Sequence, residues 1–139
     1  MRRSAGSRGP SVLFADASYF IALADDRDRW HRDAMRLKVE IPDEFVVTDF
    51  MIAEATTLIG ARKGGRPARI LFEYFLDACD IEYADDRTLR EAMVNHLRFD
   101  GRMSVSDCVT LVVMERRRIR ELVSFDSDFD RVKGIRRRH

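Results

Sequence analysis

Residues 11–23 read SVLFADASYFIAL, and the change of character in the middle of this stretch decides the fold. Val12, Leu13 and Phe14 form a short apolar run of strand-forming residues that stops at Asp16. Tyr19, Phe20, Ile21 and Leu23 then read as the start of a buried helix. A carboxylate thus stands where a buried strand turns into a helix, the edge at which open α/β sheets bind their ligands. Asp is also a favoured helix N-cap, and capping alone accounts for a lone Asp in this place. What matters is whether other segments deliver carboxylates to the same edge.

Working outward, residues 1–10 are rich in Ser, Gly and Arg and read as a disordered lead-in. Residues 11–139 then form a single domain, long enough to bury a real core. The first strand covers about 12–15 and its helix about 17–24; the polar break DDRDR leads to a second helical piece near 29–39, with Trp30, Ala34 and Leu37 facing inward. Phe45, Val46 and Val47 are a second strand, closed by Thr48 and Asp49 as caps for a helix over 49–63 that Gly64 and Gly65 halt. Pro67 suits the first position of the next helix, whose core face is Ile70, Leu71, Tyr74, Phe75 and Ala78. Residues 81–84 form a third strand. A helix over 85–97 buries Leu89, Ala92, Met93 and Leu97, with His96 a packed histidine beside that face. A helix over 104–118 and a fourth strand at Leu122 and Val123 complete an alternating βαβα order, the mark of a mainly parallel sheet.

Three of these segments carry further acids. In the 49–63 helix, Phe50, Ala53, Thr57, Leu58 and Ala61 keep the spacing of one buried face, and Glu54 falls on the same stripe. A charge there is either a stripe-edge residue reaching back to water or a functional carboxylate that needs a partner. Ser104 and Asp107 have the spacing of a capping box, and Asp107 also lies at the positive end of its helix dipole. The fourth strand runs straight into FDSDFD, so Asp126 and Asp128 follow a strand just as Asp16 does, although an Asp-rich turn reads the same way. Each acid has a dull explanation. Together, Asp and Glu oxygens without His or Cys are the donor set of a hard cation such as Mg²⁺ or Mn²⁺, without which such close carboxylates repel.

Bulk composition narrows the field. Charged residues make up 35% of the chain and hydrophobic ones 45%, as in a soluble globular protein. Lys and Arg (25) nearly balance Asp and Glu (24), so bulk charge does not announce nucleic-acid binding. The arginines nevertheless crowd the end of the chain, including Arg116, Arg117, Arg118, Arg120, Arg131, Arg136, Arg137 and Arg138. That crowding reads either as a solvated helix end with a frayed tail or as phosphate contact. Cys79 and Cys108 sit in apolar helical patterns as buried thiols, no stretch is apolar enough to span a membrane, and the expected location is cytoplasmic. A haloacid-dehalogenase-like site needs a second acid at position 18, which is Ser; a receiver domain needs an acidic pair and a late-strand Lys; neither GxGxxG nor a Walker motif is present.

Four motifs in order (FADASYFIALAD, VVTDFMIAEATTLI, MSVSDCVTLVVM and LVSFDSDF) give the chain, from Val12 to Ile135, a resemblance to the PIN-domain family, and within it to the VapC-type toxins of bacterial toxin–antitoxin pairs. The resemblance implies a three-layer α/β/α fold and a Mg²⁺- or Mn²⁺-dependent endoribonuclease acting on single-stranded or loop RNA. Asp16, Glu54, Asp107 and Asp126 match its four acidic positions, Asp128 is an extra or substitute ligand, and Ser18 and Ser106 match supporting hydroxyl positions. It also implies a VapB-type antitoxin and a homodimer. Tyr19, Phe20 and Trp30 are the candidates to line the antitoxin groove, Phe20 reading rather as core. The competing expectation is a PIN-like module that binds RNA or a partner without cutting; a missing acid would favour it, and all four are present.

Overall fold

The apolar runs of the sequence become the inner strands of a five-stranded sheet in the computed structural model, which describes residues 12–139; the proposed lead-in at 1–10 lies outside the described residues. Strand β1 (Leu13–Ala15) is buried throughout and passes at Asp16 into α1 (Ala17–Ala24). Helix α2 (His31–Glu40) buries Ala34 and Leu37, and Trp30 before it is partly buried. Strand β2 (Phe45–Thr48) ends at Thr48, whose hydroxyl accepts from the Met51 N–H and caps α3 (Asp49–Lys63). Helices α4 (Gly65–Ala78), α5 (Asp86–Arg98) and α6 (Val105–Arg117) follow, with β3 (Asp80–Glu82) between α4 and α5. Strand β4 (Glu121–Val123), one turn of 3₁₀ helix at Ser127–Arg131 and strand β5 (Arg136–Arg138) close the chain.

All four strand pairings are parallel, in the order β3-β2-β1-β4-β5. The chain therefore walks outward from β1 to β3, then returns past β1 to β4. Right-handed crossovers put the helices of the outward and the return connections on opposite faces. In agreement, α1 to α4 pack together as one group and α5 with α6 as another, giving the three-layer architecture. Helix α6 is buried along its whole middle, Asp107 to Met114. The carboxyl ends of β1 and β4 lie side by side where the direction of winding reverses, the crevice in which such folds bind ligands. On the α1–α4 side, Tyr19, Phe20, Phe45, Tyr74 and Phe75 form an aromatic core, with Phe20 and Phe75 edge-on at 4.7 Å.

Several expectations are corrected. The buried face of α3 is Met51, Ile52, Ala55 and Ile59, not the stripe through Phe50, Ala53, Thr57, Leu58 and Ala61. The helix is apolar on most of its circumference, so both stripes satisfy the period and only packing chooses. Glu54 consequently lies on the exposed side. Tyr19 is 1% exposed and, like Phe20, belongs to the core, which leaves Trp30 as the accessible aromatic of the three. Helix α4 starts at Gly65, with Pro67 at its third residue, and Ile70 and Ala78 are exposed. In α5 the buried pair is Thr88 and Ala92, while Met93 and Leu97 are 51% and 78% exposed. The third strand starts at Asp80 and stops before Ala84. The supposed frayed tail is the edge strand β5. Cys108 is buried and Cys79 partly so; His96 is partly buried, its Nδ1 hydrogen-bonded to the Met103 carbonyl at 2.7 Å. No described helix is long and apolar enough to cross a membrane.

Candidate active site

Strand β1 delivers Asp16 to the sheet edge, and the neighbouring strand β4 delivers Ser124 beside it. Asp16 is only 4% exposed and caps α1, but the cap is a minor part of its environment. Its Oδ2 accepts from the Ser18 hydroxyl at 2.8 Å, the Ser124 hydroxyl at 2.9 Å and, more weakly, the Ser18 N–H at 3.4 Å. All three bonds fall on one oxygen; Oδ1 takes none of them. The Ser18 hydroxyl also accepts from the Phe125 N–H at 2.9 Å, and the Ser124 hydroxyl from the Asp126 N–H at 3.0 Å. Two serines thus tie the start of α1 to the loop after β4. The turn continues as the Asp126 Oδ1 accepts from the Asp128 N–H at 2.9 Å. The Asp-rich turn reading is correct for the backbone, and it also sets the direction of the Asp126 carboxylate, while that of Asp128 lies 3.7 Å from the Arg131 guanidinium.

The remaining acids come from helices. Glu54, on the exposed side of α3, accepts from the Ser106 hydroxyl at 3.3 Å across to α6. Ser104 caps α6, its hydroxyl accepting from the Asp107 N–H at 3.0 Å, which holds Asp107 in the first turn. Asp16, Ser18, Glu54, Asp107, Asp126 and Asp128 all line one cleft of about 590 Å³. Ser106 is beside it through Glu54. The structure therefore brings together every acid that the sequence singled out.

The electrostatics are those of an acid cluster. Burial raises the Asp16 pKa above its usual value against the pull of the serine hydrogen bonds, and Asp126 adds repulsion. Burial and then the charge of Asp16 raise Glu54; although the residue is exposed overall, its carboxyl is partly stripped of water where it lines the cleft. Asp107 is raised most visibly, to about 7, by burial first and then by Asp16 and Asp126, a hydrogen bond from Ser104 opposing them. Among the described residues, no three His, Cys, Asp or Glu side chains already stand in position to hold a metal ion. The acids share a cleft without closing on one point. By donor chemistry, an all-oxygen set of mutually repelling carboxylates fits a hard divalent cation.

Sequence reasoning missed Ser124, which is fully buried and joins Asp16 to Asp126. Its signal was a hydroxyl residue directly after a buried strand and before the Asp-rich turn. It also missed the basic part of the wall. Arg62 of α3 lines the cleft and bridges Asp25 at 3.1 Å and Asp28 at 2.8 Å. Arg102 lines it as well and makes no ion pair among the described residues.

Comparison with known proteins agrees with this fold. The PIN-domain family model matches residues 13–135. The 23S rRNA-specific endonuclease VapC20 of Mycobacterium tuberculosis is 28% identical over 120 residues, 85% of this chain and 92% of the relative. The crystal structure of M. tuberculosis VapC20, described as a sarcin–ricin loop cleaving toxin, is similar with a TM-score of 0.80 and 26% identity, over 86% of this chain and 93% of that one. A toxin–antitoxin complex from Klebsiella pneumoniae shares the fold, with a TM-score of 0.66 and 14% identity over 91% of this chain and 95% of that one.

Proposed function

We infer the function from one premise: the chain belongs to the PIN-domain family, whose model spans residues 13–135. It is an endoribonuclease of the VapC toxin type, cleaving single-stranded or loop RNA, and it is held in check by a VapB-type antitoxin. The observation that carries this reading is the convergence of Asp16, Glu54, Asp107 and Asp126, from separate elements, on one cleft at the switch point of the sheet. Likeness to VapC20 makes 23S rRNA the first substrate to test. A nuclease of cellular RNA works in the cytoplasm. Apolar side chains on α4 (Ile70, Phe72 and Leu76) and on α5 (Met93, Val94 and Leu97) are exposed and suit protein partners such as an antitoxin and a second copy of the chain.

The activity depends on Mg²⁺ or Mn²⁺ held by Asp16, Glu54, Asp107 and Asp126, with Asp128 as a further donor. When bound, the divalent cation supplies charge stabilisation at the phosphate and an activated water. The chain's own residues do the rest. Ser18 and Ser124 fix Asp16 in one orientation with Oδ1 left over, and Ser106 steadies Glu54. Without a cation Asp107, with a pKa of about 7, keeps its proton up to near neutrality, and a bound cation would displace that proton. Arg102 offsets the repulsion of an acidic cleft for phosphates.

Asp16→Asn tests the assignment, because Asn keeps the cap and removes the charge. The expected result is a folded, RNA-binding protein whose metal-dependent cleavage falls by orders of magnitude. The matched control is Asp86→Asn, a surface acid paired to Arg90. Asp85 is unsuitable, since its carboxylate caps α5 through the Thr88 N–H at 2.8 Å. Equal cleavage by wild type and Asp16→Asn sinks the catalytic assignment. RNA binding without any cleavage, with either metal, supports the non-cutting module instead.

A further inference from the structure

Beside the acidic cleft, Trp30 and Phe125 stack face to face, their planes 3° apart and their centroids 5.3 Å apart. The guanidinium of Arg29 lies 4.6 Å from the Trp30 ring centre. We propose that this Arg29–Trp30–Phe125 stack is a subsite for an RNA base flanking the scissile phosphate, which deepens the ribonuclease reading and rests on it.

Position is the first argument. The backbone that carries each ring is tied to the cleft wall. The Trp30 backbone N–H donates to Asp28 Oδ1 at 2.9 Å, and Asp28 is a wall residue. Phe125 stands between Ser124 and Asp126, and its N–H donates to the Ser18 hydroxyl that also holds Asp16. Backbone hydrogen bonds thus place the two rings next to the segments that carry the acids.

Rigidity is the second. The turns between α1 and α2 that present Trp30 are bound from several sides. Arg62 clamps Asp25 and Asp28; the Arg27 N–H donates to Asp25 Oδ1 at 3.0 Å; His31 Nδ1 is hydrogen-bonded to the Ala22 carbonyl at 2.7 Å. A stacking platform fixed in advance loses little entropy when a base arrives.

Chemistry is the third. Both rings are only partly buried, and a core pair would be closed over. Arg29 is exposed and makes no ion pair among the described residues, so only its contact with the Trp30 ring has to be given up for it to meet a base or its phosphate. Arg102, likewise unpaired, lines the cleft. Aromatic faces with unneutralised guanidinium groups match the flat base and anionic backbone of single-stranded RNA better than an apolar peptide.

The chain has a single tryptophan, so fluorescence excited at the red edge of its absorption, where the three tyrosines do not absorb, reports this stack alone. The probe is an RNA oligonucleotide cut by the wild type, together with versions carrying one abasic nucleotide at each position in turn. In the Asp16→Asn background the intact RNA should quench Trp30, and one abasic position next to the cut should abolish the quench. Trp30→Ala should lose about ten- to hundred-fold in RNA affinity, appearing as raised KM with kcat little changed, and Trp30→Phe should recover most of it. Arg29→Gln should weaken binding with the ring environment intact. If RNA is bound and cut while Trp30 fluorescence stays constant and every abasic version behaves alike, the subsite is refuted and the nuclease reading stands. If the wild type cuts no RNA, a mixed single-stranded RNA replaces the probe: quenching keeps the subsite as the nuclease reading falls, and no quenching removes both. Should Trp30→Ala weaken a co-expressed antitoxin but not RNA, the stack is a protein contact and the proposal is wrong.

Discussion

Asp107 is the residue whose protonation the fold alters most legibly. Its pKa moves from 3.8 to about 7 because burial and the charges of Asp16, Asp126 and Glu54 all favour the neutral form. The folded chain consequently keeps a proton that the unfolded chain has already lost. Stability from this source is complete below about 3.8 and disappears as the pH rises through about 7. Asp16 and Glu54, raised for the same reasons, push in the same direction. In chelator, the melting temperature of the wild type should therefore fall relative to that of Asp107→Asn across this window, the mutant being the more stable at its upper end. Parallel melting-temperature profiles for the two proteins would show that Asp107 does not titrate in this way.

Strand β5 shows how an arginine-rich segment takes up a structural role. Arg136, Arg137 and Arg138 pair in register with Glu121, Leu122 and Val123, and the ladder runs on from the Ser124 N–H to the Arg138 carbonyl at 3.1 Å. Arg138 pairs with Glu121 at 3.2 Å, and charge along an edge strand discourages pairing with other chains. Arg137 does more. Its guanidinium forks onto Asp130, with both bonds at 2.9 Å, and donates to the Ser124 carbonyl at 3.1 Å. The loop that carries Asp126 and Asp128 is thus clamped at its start and beyond its end. Arg137→Gln should lower the melting temperature and reduce kcat by about ten- to hundred-fold, as expected when catalytic groups are misplaced, with little change in RNA affinity. Arg136→Gln, whose exposed side chain makes no ion pair among the described residues, is the comparison. Equal loss of RNA affinity in both variants would instead assign the strand to phosphate binding.

On the scale of the whole molecule, the acidic cleft is a store of repulsion built into the sheet's switch point. A cation that binds only the folded chain stabilises it by mass action, by about 2.7 kcal/mol at a hundred-fold excess over its Kd. Among the described residues the carboxylates do not converge on one point, so some of a cation's binding free energy would go into drawing them together. Millimolar Mg²⁺ or Mn²⁺ should raise the melting temperature above its value in chelator at matched ionic strength. Asp107→Asn should lose much of the gain. A gain of the same size in wild type and mutant would argue strongly against a shared metal site.

The sequence by itself determined the alternation that makes a parallel sheet. Buried strand-forming runs at Leu13–Ala15 and Phe45–Thr48, each followed by a capping side chain and a helix, are local signals. The same local signals located Asp16, Asp107 and Asp126 at strand ends or helix starts. Tertiary structure decided what those signals leave open. The side of α3 that meets the core, and hence the direction of Glu54, was ambiguous because that helix is apolar on most faces. Strand β5 exists because β4 offers it a ladder, not because its side chains favour a strand. Ser124 reaches Asp16 across 108 positions of sequence, and no local pattern records such a contact; only the parallel pairing of β1 with β4 makes it.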